Sequence, residues 1–346
     1  MNQPVVKVRN RKKRSWTKIL LVFICCVALL IGSGFVYEYV SAQQAKKNYA
    51  PPGKLVDVGG FRLHVNKIGS GSPVILLEAG SRESSLIWRD IPEKLAEFAT
   101  VVRYDRAGYA WSDAAPTERS GDNIVQELHS ALEQEGIHGP YILVGHSVGG
   151  MYSRLFAEKY KDEVEGLILL DARPENYSRE TDPIFENEGF DSATAGMPSK
   201  AVIKLLKMSG GLRLFQNSLL AQMPEKERTF FVNVEASSSF LDTAEEEDRQ
   251  LAKVEEAIRN QRLDSLPVKI ITHGIPNDAT AFGMSAEASR QLEDIWQAQQ
   301  RDMLQLSTDS ELIVAERSGH MVMHDEPDLV IDAIKSVIHN RTRQDS

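Results

Sequence analysis

Ser147 sits in Gly145-His146-Ser147-Val148-Gly149, a spacing that can present a hydroxyl as a nucleophile. Tyr141–Val144 before it is a short apolar β-type run, and Val148, Tyr152, Leu155 and Phe156 after it recur at i, i+4, i+7 and i+8, one buried helix face. The chain therefore turns from strand into helix at Ser147. That turn strains the serine backbone, and Gly145 and Gly149 leave room for it because neither carries a Cβ. The helix that starts there aims N–H groups and its positive dipole end at any oxyanion formed beside the serine. A serine hydroxyl also needs a base, and the base an orienting acid. His320 is the best base, in a Ser318-Gly319-His320-Met321 loop just beyond an apolar strand. His324 lies four residues on, but no helix carries the two histidines around a glutamate as zinc proteases require, so it reads as structural. Two carboxylates compete as the acid. Asp171 ends the strand after the serine's helix, at the same sheet edge; Asp278 follows the next strand behind Pro276-Asn277, residues that also suit a plain turn. Asp171 is preferred, with Asp278 as the alternative.

These side chains need a scaffold, and the apolar pattern supplies one. Strands are expected at 54–58, 61–67, 73–77, 100–104, 141–144, 166–170, 268–272 and 312–315, with helices between most of them. This alternation implies an α/β fold, a mostly parallel central sheet flanked by helices on both faces. Residues 174–262 break the rhythm and read as a helical cap or lid inserted into a core made of 54–173 and 263–346. The acidic run Glu245-Glu246-Glu247-Asp248 within it reads as a solvated helix face. Phe215, Phe230, Phe231 and Phe240 suggest either an apolar substrate moiety or a small core of the insertion's own.

The chain is 346 residues long with a formal charge of −9, unevenly placed. Residues 1–18 form a basic N-terminus with seven Lys and Arg and no acid, leaving 33 bases against 49 acids in the remainder. An acidic body argues against nucleic acid as a partner. Ile19–Tyr37 carries no charge and as a helix would be about 28 Å long, enough to cross a bilayer once. Residues 19–40 are thus expected to be a transmembrane signal-anchor, followed by a polar linker over 41–53. Positive charge before the span and Tyr37 and Tyr39 at its end put the body on the extracytoplasmic side. The alternative is a cleaved signal peptide and a secreted body, since Val40-Ser41-Ala42 has the small-residue character of a cleavage site. Both cysteines, Cys25 and Cys26, fall inside the span, so the body has none for a disulfide, a zinc site or a thiol nucleophile.

Over roughly residues 55–340 the chain resembles the α/β-hydrolase fold family. Four matches carry it: Gly145-His146-Ser147-Val148-Gly149; Asp105-Arg106-Ala107-Gly108-Tyr109-Ala110-Trp111-Ser112; Gly319-His320 after the last strand; and Pro327 seven residues later. Ala110 stands where that loop often has glycine, and Glu78-Ala79-Gly80 replaces the usual His-Gly after the third strand. The resemblance implies the chain order serine, acid, histidine. It also implies an oxyanion hole from the backbone N–H groups of Val148 and Ser81, with Asp105 and Arg106 as scaffold. No cofactor or metal is implied. The expected function is a serine hydrolase acting on an ester, thioester or amide of a small, partly apolar substrate through an acyl-enzyme. Acyl transfer to another alcohol and carbon–carbon bond hydrolysis are alternatives on the same fold. A catalytically silent, membrane-tethered binding module is the rival from another class.

Overall fold

The computed structural model describes residues 11–190, 199–237 and 239–344; the N-terminal bases Lys7 and Arg9 lie outside them. The elements run α1 (Arg11–Asn48), β1 (Lys54–Asp57), β2 (Arg62–Gly69), β3 (Val74–Glu78), α2 (Ile91–Leu95), β4 (Thr100–Asp105), α3 (Gly121–Gln134), β5 (Tyr141–His146), α4 (Val148–Lys159) and β6 (Val164–Leu170). Five helices follow: α5 (Tyr177–Asn187), α6 (Lys200–Met208), α7 (Gly211–Leu214), α8 (Gln216–Leu219) and α9 (Glu225–Phe230). The chain ends with α10 (Phe240–Ile258), β7 (Val268–His273), α11 (Ala286–Asp302), β8 (Ser310–Ala315), α12 (Val322–Asp325) and α13 (Pro327–Gln344). Two compact units result: residues 11–50 with 199–236, and residues 51–190 with 237–344.

The larger unit is built on one eight-stranded sheet in the order β1-β2-β4-β3-β5-β6-β7-β8. β1 and β2 pair antiparallel, β2 meets β4 antiparallel, and every later pairing is parallel. The period-two alternation of side chains sorts the strands' apolar residues into two layers. Leu76, Val102, Leu143, Leu167 and Leu169 face α3, α4 and α10 through Leu128, Tyr152, Phe156 and Ile258. Ile75, Val101, Ile142, Val144, Ile168 and Leu170 face α2 and α13 through Leu95, Val330, Ile334 and Val337. Burial on both faces is why these strands are continuous apolar runs, and why the parallel sheet was legible as such.

After β3 the chain moves outward to β4 and returns to β5 on the other side, which makes the β3/β5 boundary the topological switch point, where open α/β sheets bind ligands. The register aligns Glu78 with Gly145, His146 with Leu170, Leu170 with Ile271, and His273 with Ala315. One rim therefore collects the residues just past five parallel strands. Close packing at the switch point depends on Gly149. A Cβ there would come within 2.5 Å of the carbonyl oxygens of Glu78 and Ala79, which are backbone and cannot step aside.

The smaller unit differs from expectation at its first element. The residues read as a polar linker, 41–53, are helical through Asn48, so α1 runs unbroken for 38 residues. Ala, Gln and Lys in 42–47 are good helix formers, and only Pro51-Pro52 stops the run. Glu38 of α1 binds Lys207 at 2.8 Å and Arg213 at 3.0 Å. Leu212, Val232 and Ala236 form a small core with Leu206, Leu220 and Phe231 beside it.

Gly149→Ala should lower the unfolding midpoint by the equivalent of about 1–3 kcal/mol of overpacking. Gly319→Ala, whose Cβ would meet nothing within 4 Å, should stay within about 0.5 kcal/mol. Thermal unfolding of both variants checks this; equal midpoints would show that the packing around Gly149 has slack.

Candidate active site

Ser147 lies between β5 and α4 with φ +53° and ψ −122°, a conformation L-residues rarely take. Its backbone is held on both sides: its N–H donates to the Leu170 carbonyl at 3.1 Å, and its own carbonyl accepts from Gly150 and Arg173 at 3.0 Å. Such strain costs on the order of 1–3 kcal/mol and persists where the surroundings over-determine it. Asp171, one step past β6, is strained in the same way, with φ +40°. Val148, at the first turn of α4, follows the serine directly. Ser81 lies in the turn just after β3.

The structure joins Asp171 to His320. Nδ1 of His320 donates to Oδ2 of Asp171 at 2.6 Å, which leaves Nε2 as the ring nitrogen that can serve a hydroxyl. Asp171 is fully buried and takes more than one bond. His273 donates from Nδ1 at 2.8 Å, Trp296 from Nε1 at 2.9 Å, and the His273 backbone N–H at 3.2 Å. Burial pushes its carboxyl pKa up, but the bonds from His273 and His320 and their charge outweigh burial and hold it well below the usual range. Asp278 is placed differently. Its carboxylate is exposed and caps the following turn, accepting from the Thr280 N–H at 2.9 Å and its hydroxyl at 2.5 Å. The turn reading thus describes Asp278, and Asp171 is the carboxylate bonded to the histidine.

Sequence reasoning missed His273 and Glu293. Nε2 of His273 donates to Glu293 at 2.9 and 3.1 Å, so both ring nitrogens face carboxylates. Burial lowers the pKa of His273, but bonding to Asp171 and Glu293 reverses this and pushes it up to about 9. At neutral pH the ring is an imidazolium held between two acids. The signal was available: His273 ends the strand beside β6, so any acid just past β6 lies next to it.

A second histidine braces the same loop. His146 donates from Nε2 to the His320 carbonyl at 3.0 Å and from Nδ1 to Glu83 at 2.9 Å, while Glu83 accepts from the Gly80 N–H at 2.7 Å. His146 thereby ties the His320 loop to the loop that follows β3. Arg106 anchors that loop from below, donating to Glu78 at 2.8 Å and to the carbonyls of Ala79 and Gly80 at 2.6 and 2.7 Å. Its remaining bonds go to Glu247 at 3.1 and 3.2 Å. Glu247 is buried, so the acidic run 245–248 is not simply a solvated face, because the buried guanidinium of Arg106 needs a second acid. His324 donates Nε2 to the Ile87 carbonyl at 2.8 Å and does not join His320 at a common site.

Ser147, His320 and Asp278 border a cavity of about 410 Å³ in the sheet unit, walled by Phe185, Phe190, Phe282, Met284, Leu292 and Trp296. Arg173, Asn277 and Glu293 supply its polar edge. Phe215, Phe230, Phe231 and Phe240, read as marking either an apolar substrate site or a small core of the insertion's own, are not in its wall. Phe230 pairs with Tyr49 and Phe240 with Tyr109, Phe231 packs beside the small core of the first unit, and Phe215 is exposed. Helical periodicity marks a residue as apolar-facing but does not say which apolar surface it faces.

A model of the alpha/beta hydrolase family matches residues 74–333. Among curated proteins, the uncharacterized YqjL of Bacillus subtilis is 25% identical over 285 residues, 82% of this chain and 91% of YqjL. The uncharacterized YbdG of the same organism is 28% identical over 171 residues, 48% of this chain, and the match spans only 53% of YbdG. Among solved structures, epoxide hydrolase VrEH1 from Vigna radiata superposes with a TM-score of 0.62 at 18% identity, covering 83% of this chain and 97% of that one. A thermophilic esterase from Thermogutta terrifontis gives 0.56 at 20% identity, covering 83% and 96%. At these identities the structures are alike in fold.

The charge on His273 makes stability depend on pH. Its pKa of about 9 exceeds the ordinary value of 6.5, so its contribution is complete below about pH 6.5 and is lost as pH rises through about 9. Asp171, held low, contributes oppositely: its share is present above its unfolded value and is lost only in acid. The difference in unfolding midpoint between wild type and His273→Gln should therefore be largest near pH 6 and shrink by pH 10. A difference constant across that range would show that the ring is not charged in the folded protein.

Proposed function

Because the chain belongs to the alpha/beta hydrolase family, we propose that it is a serine hydrolase cleaving an ester, thioester or amide of a small, partly apolar substrate through an acyl-enzyme. The observation that carries this reading is the 2.6 Å bond from His320 to buried Asp171, beside the strained Ser147 in a shared cavity. In the proposed first step Oγ of Ser147 attacks the substrate's carbonyl carbon while Nε2 of His320 takes the hydroxyl proton. Asp171 stabilises the resulting imidazolium through Nδ1. The oxyanion accepts hydrogen bonds from the backbone N–H groups of Val148 and Ser81. Collapse expels the alcohol, thiol or amine with the proton from His320 and leaves an ester on Ser147. Water, deprotonated by the same ring, then attacks that ester, releasing the acid and restoring the serine.

Serine at the turn supports attack on a carbonyl, since epoxide opening through an alkyl-enzyme would call for a carboxylate there. The aromatic and aliphatic wall supports an acyl group with an apolar chain. Residues 19–40 are the proposed single membrane span, with the catalytic unit on the extracytoplasmic side; an uncharged α1 stretch long enough to cross a bilayer supports the anchor.

A fluorophosphonate probe should label wild-type protein and not Ser147→Ala. With p-nitrophenyl esters, kcat/KM should rise with acyl chain length until the cavity is filled. Asp171→Asn should lower kcat by roughly 10³–10⁴-fold, and Asp278→Asn should leave it near wild type. Labelling that persists in Ser147→Ala, or an Asp171→Asn variant that turns over normally, would overturn the assignment.

A further inference from the structure

The smaller unit carries an apolar surface that its own packing does not use. Val202, Leu205 and Met208 of α6, Leu214 of α7, Phe215 at the junction of α7 and α8, and Leu219 of α8 are all exposed, with Leu205, Leu214 and Phe215 between 56% and 61% accessible. Singly, such residues need no explanation, but six within eighteen residues along three consecutive short helices are a concentration that does. Its position relative to α1 says what covers it. The junction of α6 and α7 seats directly on α1. A Cβ on Gly34 would run into the Ser209 carbonyl oxygen, and a Cβ on Gly210 would come within 3.0 Å of Tyr37 and 3.2 Å of the Gly34 carbonyl. One turn on, Glu38, only 6% accessible, binds Lys207 and Arg213. Measured along the helix, Gly34 to Glu38 lies about 22–28 Å beyond Ile19, close to a hydrocarbon thickness. With Ile19 at one face of the bilayer, α6 to α8 dock where α1 leaves the other.

We propose that α6, α7 and α8 lie in the headgroup region of the same bilayer that α1 crosses, with Val202, Leu205, Leu214, Phe215 and Leu219 turned into the lipid. The helices then hold the membrane at its surface while α1 spans it, and the Glu38 pairs with Lys207 and Arg213 lock the two together. A short amphipathic helix buries its apolar side several ångströms into the headgroup boundary, a depth these side chains can reach. Residues 199–219 are thereby attached to lipid through their own side chains as well as through α1. This inference rests on α1 spanning a membrane, and its test separates the two.

The full chain is reconstituted in vesicles of phosphatidylcholine and phosphatidylglycerol and labelled with a thiol-reactive bimane. Native Cys26, in Cys25→Ser, reports the anchor. Leu205→Cys and Phe215→Cys, each in a Cys25→Ser/Cys26→Ser background, report the surface helices; both positions are exposed, so folding is spared. Lipids brominated deep in the acyl chain should quench bimane at Cys26 most strongly. Lipids brominated near the headgroup should quench it at Leu205→Cys and Phe215→Cys at least twofold, and aqueous iodide should reach these two positions poorly. Iodide quenching without lipid quenching at Leu205→Cys and Phe215→Cys, with Cys26 still quenched by deep bromines, overturns the proposal and leaves the anchor standing. Shielding from both quenchers together with crosslinking between copies overturns it in favour of self-association. A Cys26 label untouched by lipid removes the anchor and this proposal with it.

Discussion

Asp171 is a carboxylate removed entirely from water, and the arrangement of the sheet's rim around it follows from keeping it ionised. An unpaired buried charge costs several kcal/mol, and removing one partner of a buried pair typically costs roughly 3–5 kcal/mol. The chain meets that cost with donors from three separate elements: His273 at the end of β7, Trp296 on α11, and His320 in the loop after β8. Each donor is fixed by its own element, so the imidazole of His320 can sit in few orientations. Glu293 extends the same logic outward. By holding His273 charged it places a fixed cation behind Asp171, which helps keep the carboxylate ionised.

The parallel register makes this convergence possible. Strand ends in one direction are the only places where residues from 78 to 320 can meet without crossing the sheet, and the switch between β3 and β5 opens a gap there for a ligand. The gap must be kept open from below. Arg106 does this by donating to the carbonyls of Ala79 and Gly80, with Glu78 and Glu247 balancing its charge. The acid Glu78 is thus tied to the loop's shape: burial pushes its pKa up to about 6 despite the nearby guanidinium, and the hydroxyl of Tyr104 donates to it at 2.5 Å.

Much of this was legible in the sequence for identifiable reasons. Both-face burial writes parallel strands as unbroken apolar runs, so all eight strands were expected within a few residues of where they lie. The Gly-x-Ser-x-Gly turn was legible because its glycines answer a steric demand, the approach of Gly149 to the backbone of Glu78 and Ala79. Charge partnerships were not. Glu247 sits among three other acids in the sequence, and nothing local distinguishes the one that turns inward to Arg106. His273 and Glu293 are twenty residues apart, and they meet only because α11 packs back against β7. Choosing between Asp171 and Asp278 required the same long-range knowledge. Both follow strands, and only the tertiary contact with His320 separates them.

The extent of α1 shows a further limit of composition as a guide. Residues 41–48 are polar, and polarity suggested a flexible tether, yet helix propensity and the absence of a breaker before Pro51 carry the helix on through them. That continuation has a mechanical consequence. A flexible joint straight after the apolar run would let α6 to α9 and the apolar part of α1 move independently. An unbroken helix instead presents Gly34, Tyr37, Glu38 and Ala45 on a rigid rod, and the contacts of Ser209, Gly210, Lys207 and Arg213 become fixed relative to the apolar stretch. The two glycines, Gly34 and Gly210, permit backbone approach, and the Glu38 ion pairs give it direction. An acid immediately after nineteen uncharged residues is costly unless paired, and its partners come from the inserted segment. Helix α1 and residues 199–236 therefore fold as one unit, although about 150 residues of sequence separate them.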